Sequence, residues 1–155
     1  MLYIKSQQLV LHSNGGQLFY AVSTAKRGIG QLAGSEKTPL GKHIIRAKIG
    51  EKQPENAVFI GRRPTGEIYS PELAIANPQR KDWILTRILW LSGLQPGFNR
   101  LGNVDSMRRY IYIHGTPDSE PMGRPLSHGC IRMRNKAVID LFERIDVGVP
   151  INIVM

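Results

Sequence analysis

The polar and apolar positions of this chain alternate over its first stretch. Residues 2–11 read polar against apolar with period two, "SNGG" at Ser13–Gly16 supplies a tight turn, and "QLFYAVS" returns as a second strand. Further runs rich in β-branched and aromatic residues lie at 43–49, 57–60, 83–91, 109–113 and 149–154. The run 83–91, "WILTRILWL", has the length of either a short helix or a strand, and its Ile, Thr and Trp content favours a buried strand. One segment carries a helical period: "NKAVIDLFERID" aligns Val138, Leu141, Phe142 and Ile145 on one stripe, with Asn135 as its expected N-cap. Residues 23–42, 61–82, 92–108 and 115–127 read as long loops carrying Gly, Pro or Asn. The expected fold is mainly β, with one helix in the C-terminal half and long loops.

Length and composition narrow this further. A chain of 155 residues with 41% hydrophobic and 21% charged residues is expected to form one globular domain over 1–155. No repeat or linker divides it. A single cysteine excludes an internal disulfide. The alternating N-terminus lacks the basic and solidly apolar regions of a signal peptide, and no apolar run is long enough to span a bilayer. The expected location is therefore the cytoplasm, with the periplasm as the alternative. Lys and Arg number 21 against 12 Asp and Glu. These charges are dispersed and accompany no nucleic-acid motif, so an anionic small substrate accounts for them as well as a nucleic acid does. "GIGQLAG" at 28–34 loosely resembles a phosphate loop, but Pro39 and Gly41 break the helix that such a site requires.

The chemistry concentrates in His114, His128 and Cys130. "IYIHGT" delivers His114 at the end of an apolar strand, and a loop with Pro117, Pro121 and Pro125 leads on to "SHGCIRM". Three readings compete. The two histidines and the cysteine form three ligands of an open zinc site, although no further carboxylate or cysteine partner stands out. Alternatively, Cys130 is packing and the histidines are structural; Gly129 and two histidines are poor choices for an inert apolar core. In the third reading Cys130 is a nucleophile whose proton a histidine accepts. Extended backbone puts His128 roughly 6.6 Å from Cys130 at about 3.3 Å per residue, too far for a hydrogen bond without a kink. His114, from another segment, approaches freely and is the expected base, with the Gly115 carbonyl orienting its ring. His128 is expected to brace the turn, and Gly129 to let backbone N–H groups approach an oxyanion.

"IHGT", thirteen residues, then "SHGCIRM" resembles the catalytic signature of the L,D-transpeptidase (YkuD) family. The likeness extends to "VSTAKRGIGQLAGSEKTPLGKHII", with its Thr38-Pro39-Leu40-Gly41, and to the closing "GVPINI". The resemblance implies a β-sandwich-like domain that needs no cofactor or metal. Its implied partner is a muropeptide or peptidoglycan stem peptide, with neither nucleic acid nor a membrane span involved. Cys130 would attack the bond between meso-diaminopimelate and a terminal D-alanine, with His114 as base and a thioester intermediate. Ser127 and Arg132 would contact substrate; Arg132 matches the arginine of the HGCxR form, and the alternative for it is a loop brace. Because Arg132 stands where some members carry Asn, Asn135 receives no catalytic role. Without an export signal, the expected activity is an L,D-carboxypeptidase trimming recycled tetrapeptides. A 3→3 cross-linking transpeptidase is the alternative within this chemistry, and a non-catalytic muropeptide-binding module the alternative outside it.

Overall fold

A computed structural model describes all residues, 1–155. Its strands are β1 (Leu2–Tyr3), β2 (Gln8–Ser13), β3 (Gly16–Ala21), β4 (Gly41–Ile49), β5 (Ala57–Ile60), β6 (Arg63–Ile68), β7 (Ile84–Gly93), β8 (Tyr112–Gly115), β9 (Ile131–Met133) and β10 (Pro150–Val154). The helices are α1 (Pro71–Ala76) and α2 (Asn135–Arg144), with a 3₁₀ turn at Gly102–Val104. Ten strands form one curled sheet in the order β3-β2-β1-β10-β4-β7-β5-β6; β8 branches from β7, and β9 pairs with β8. The mainly β fold with one long helix is the one expected.

The strand β7 organises the site. Its apolar run is buried almost throughout, because β4 and β5 pair with it on one side and β8 on the other. Both of its faces are covered as well, Leu89 and Leu91 by the main core and Ile88 and Trp90 by a cluster with Phe59 and Tyr112, which explains why "WILTRILWL" shows no alternation. The ladder to β8 is interrupted: Leu85 faces Gly115 and Ile88 faces His114, so Thr86 and Arg87 bulge out of register. Thr86 adopts φ +73°, a left-handed conformation costly for a β-branched residue, and is fully buried. The main core lies between the sheet and α2, whose stripe Val138, Leu141, Phe142 and Ile145 packs against Leu89, Ile113, Ile131 and Met133. Burying those four helix side chains contributes roughly 6–12 kcal/mol as an upper bound.

Several boundaries differ from expectation. The segment 61–82 is not all loop: it holds β6 and α1, and the Ser70 hydroxyl caps α1 by accepting from Leu73 N–H at 3.1 Å. Ser70-Pro71-Glu72 is a legible N-terminal helix signal. The strand expected at 109–113 begins at Tyr112, because Tyr110 takes φ +56° in the preceding turn. Asn135 is not the N-cap of α2. Arg134 occupies that place without a side-chain cap, and Asn135 is buried with its side chain aimed inward. No helix follows the glycines at 28–34. No helix is long and apolar enough to cross a membrane.

Candidate active site

The parallel pairing of β8 with β9 joins the two halves of the motif. Ile113 faces Ile131 and His114 faces Arg132, so Cys130, one residue before β9, arrives beside Tyr112. Cys130 is half-buried. Its Sγ accepts from Tyr112 N–H at 3.4 Å and donates to the Tyr110 carbonyl at 3.3 Å. The thiol therefore rests against the backbone leading into β8. Gly129, at φ +130°, supplies the bend that turns the chain into this position.

His114 is completely buried, with Nδ1 held 2.6 Å from the Gly115 carbonyl. That bond requires Nδ1 to carry the proton, which leaves Nε2 with the lone pair. Nε2 is buried and has no partner within the chain. The Gly115 carbonyl thus holds the ring. Thiol and imidazole share their charged neighbours, Asp82 and Arg132. Burial lowers the His114 pKa below its ordinary value, against the opposing influence of Asp82 and the Gly115 bond. Burial also pushes the Cys130 thiol up to about 12, with Asp82 adding to the rise. Both shifts favour the neutral forms of the thiol and the imidazole.

The other expected site residues fall into place differently. Ser127 is 2% exposed and cannot contact a substrate; its hydroxyl donates to the Cys130 carbonyl at 2.5 Å and accepts from Gly129 N–H at 3.3 Å. It is a clasp for the turn. The Gly129 carbonyl accepts from the Thr38 hydroxyl at 2.9 Å, so the Thr-Pro segment anchors the same turn. With its N–H engaged by Ser127, Gly129 contributes the bend rather than a free oxyanion donor. His128 does not brace the turn: its side chain is 53% exposed, with Nδ1 3.8 Å from Asp82. The Arg132 side chain is only 7% exposed, donating to Asp82 at 3.0 Å and to the Leu126 carbonyl at 3.3 Å. The loop-bracing alternative for Arg132 describes this arrangement, not a cation offered to substrate. His114, His128 and Cys130 do not converge as a metal-binding group.

Two participants were missed by the sequence reading. Asp82 links Arg132 and His128 and faces the cleft. Burial alone would raise its pKa, but His114, Arg132 and His128 around it hold the carboxylate below the ordinary value. A carboxylate two residues before a buried strand gives no signal of this in sequence. The second is Asn135, whose amide donates to the Thr116 carbonyl at 2.9 Å, to Asn56 Oδ1 at 3.0 Å and to Asp118 Oδ1 at 3.2 Å. Its Oδ1 accepts from the Thr86 hydroxyl at 2.6 Å. Asn135 therefore ties the bulge in β7 to the Gly115–Thr116 backbone that orients His114. Its amide type at a helix start hinted at capping and hid this role.

Cys130 opens into a cleft of ≈ 320 Å³ whose walls include Phe59, Arg62, Asp82, Tyr110 and Tyr112. That lies at the small end of ligand-site volumes. A second cleft of ≈ 280 Å³ adjoins it across Arg109 and His128 and carries Glu36 and Asp105. Arg109 separates the two, donating to the carbonyls of Gly30, Gln31 and Lys37, the last at 2.6 Å.

A half-buried thiol, a buried imidazole with a fixed tautomer and an open cleft are what cysteine-dependent acyl transfer requires. The family model for YkuD, the L,D-transpeptidase catalytic domain, matches residues 1–153, and the chain belongs to this family. It is 31% identical over 139 residues to YqjB of Bacillus subtilis (strain 168), covering 90% of this chain and 60% of that protein. It is 33% identical over 95 residues to YkuD of the same organism, covering 61% of this chain and 47% of that one. In structure it is similar to L,D-transpeptidase 3 from Mycobacterium tuberculosis, with TM-score 0.58, 14% identity, and coverage of 97% of this chain and 58% of the other. The last likeness concerns the fold. The chain thus spans about half to three-fifths of the length of these relatives.

Proposed function

We propose that this chain is a cysteine acyltransferase acting on peptidoglycan stem peptides, with Cys130 as nucleophile and His114 as general base. The observation that carries this is the unpartnered, buried Nε2 of His114, fixed in its accepting tautomer beside the strand that receives Cys130. The family membership supplies the substrate class.

In this reading Sγ leaves its two weak backbone bonds as substrate enters. It forms a bond to the carbonyl carbon of the L-centre of meso-diaminopimelate while the thiol proton passes to His114 Nε2. The carbonyl electron pair moves onto oxygen. Collapse breaks the C–N bond, and His114 returns its proton to the departing D-alanine nitrogen, leaving a thioester on Cys130. Proton and charge leave the sulfur together, which suits a thiol with a raised pKa and an imidazole with a lowered one. Water then attacks the thioester with His114 as base, and sulfur departs, regaining a proton from His114. The product is a tripeptide, which makes the enzyme an L,D-carboxypeptidase. Cys130 lines an open cleft, which gives water access to the thioester and supports hydrolysis.

One observation favours an amine in place of water. The adjoining cleft of ≈ 280 Å³ beside His128 offers room for a second peptide next to Cys130, as a cross-linking transpeptidase needs. Incubation with a disaccharide tetrapeptide separates the two by product mass. Tripeptide plus free D-alanine establishes the carboxypeptidase. Dimers with a 3→3 link establish the transpeptidase. Binding without either product leaves only a muropeptide-binding module.

A further inference from the structure

The sequence offers Arg132 as the cation for a substrate carboxylate, and the structure commits that side chain to Asp82 and the Leu126 carbonyl. Arg109, the next arginine of the cleft, spends its guanidinium on four groups of the 30–37 loop. A third arginine remains. Arg62 sits at the tip of the β5–β6 hairpin, where Gly61 and Arg62 both take positive φ, +55° and +66°. Two successive left-handed residues make a tight hairpin turn and fix the direction of the Arg62 side chain. Its guanidinium lies over the rings of Trp90, at 4.9 Å, and Tyr110, at 5.0 Å. Its Nη1 donates to the Tyr112 hydroxyl at 3.1 Å.

Held this way, the guanidinium uses one of its donors and has no carboxylate partner in the chain. It lines the same cleft as Cys130. Tyr112 connects the two, since its backbone N–H meets Cys130 Sγ and its hydroxyl meets Arg62. The span from sulfur to guanidinium is thus set by one tyrosine. Stacking on two rings restricts the fork without consuming its donors, which lowers the entropy cost of receiving a planar anion.

We propose that Arg62 is a specificity-determining residue that receives a carboxylate of the acyl-donor peptide while its scissile carbonyl lies at Cys130. This rests on the stem-peptide reading above. The peptide offers two carboxylates within reach of the scissile bond, that of the terminal D-alanine and the distal carboxylate of the diaminopimelate side chain. The chemistry recognised is common to both.

The test compares wild type with Arg62→Gln and Arg62→Lys on three tetrapeptides: the native one, one with its terminal carboxylate amidated, and one with its diaminopimelate side-chain carboxylate amidated. For the native peptide, Arg62→Gln should raise KM at least tenfold with kcat changed less than threefold, and Arg62→Lys should recover part of the loss. One amidated peptide should show no response to Arg62→Gln, and that peptide identifies the carboxylate bound. An equal response from all three peptides, or none from the native one, overturns the proposal. Binding of the same peptides to Cys130→Ala and Cys130→Ala/Arg62→Gln, by calorimetry, separates this from the catalytic reading. Should wild type turn over no peptide, Arg62-dependent binding of the native peptide would uphold the anchor and sink the acyltransferase, whereas Arg62-independent binding would sink the anchor as well.

Discussion

Replacing Asn135 by Ala removes four hydrogen bonds at once, and the structure allows the cost to be apportioned. Two of the partners, the Asn56 and Asp118 side chains, reach solvent and exchange Asn135 for water at little loss. The Thr116 carbonyl and the Thr86 hydroxyl are buried and cannot. Leaving a buried polar group without a partner costs about 1–3 kcal/mol, and Thr86 keeps its contact from Asn56 N–H. Asn135→Ala should therefore destabilise the fold by about 2–4 kcal/mol, a large share of a domain's usual 5–15 kcal/mol. Asn135→Asp, equal in size, should be no better, because its carboxylate would face three oxygens that now receive amide N–H groups. Urea unfolding measures this as a lower midpoint at unchanged slope. Because the Gly115–Thr116 backbone orients His114, kcat should also fall by roughly tenfold at a temperature where the variant stays folded. A stability within about 0.5 kcal/mol of wild type, the range of an ordinary surface substitution, would refute the assignment of Asn135 as the tie between the bulge and β8.

Other outcomes follow from the same geometry. A Cβ on Gly115 would meet Asn135 Oδ1 and lie 2.6 Å from the Leu85 carbonyl, so Gly115→Ala should cost about 1–3 kcal/mol in urea and reduce kcat. Burial lowers the His114 pKa, and the proposed mechanism needs His114 unprotonated, so the acid limb of kcat/KM should lie below pH 6.5. Asp82 raises that pKa, so Asp82→Asn should move the limb further down; a shift upward would contradict the placement of Asp82. Burial likewise lowers His43 to about 4, although Gly41 and Ser106 hold its ring. The unfolded chain takes up that proton first, so His43's stabilisation is complete above pH 6.5 and declines as pH falls toward 4. The loss should be about 2 kcal/mol by pH 5, read as a urea midpoint that His43→Gln makes less pH-dependent.

What the sequence disclosed and what it withheld divide along physical lines. Strand β7, helix α2 and the two segments that carry His114 and Cys130 were legible because each rests on a local signature: β-branched content, a 3.6-residue stripe, or a motif of fixed spacing. The strand β9 was not legible, since three residues carry no period and are held extended by pairing with β8. The contacts of Arg132, Ser127 and His128 were not legible, for a shared reason. Residue type shows what a side chain can bind, while burial and competing partners decide what it does bind. Arg132 finds Asp82 fifty positions away, and Thr86 finds Asn135 forty-nine positions away. The strain at Thr86 belongs to a bulge that exists only once β8 docks on β7.

The central claim is that Cys130 becomes acylated. Rapid acid quenching of enzyme mixed with a tetrapeptide, followed by intact-mass and peptide mass spectrometry, observes this directly. The expected species is protein plus the tetrapeptide acyl group less its terminal D-alanine, localised to Cys130, strongly reduced in His114→Ala and absent in Cys130→Ala. Undiminished turnover by Cys130→Ala, or an adduct on any other residue, would contradict the account.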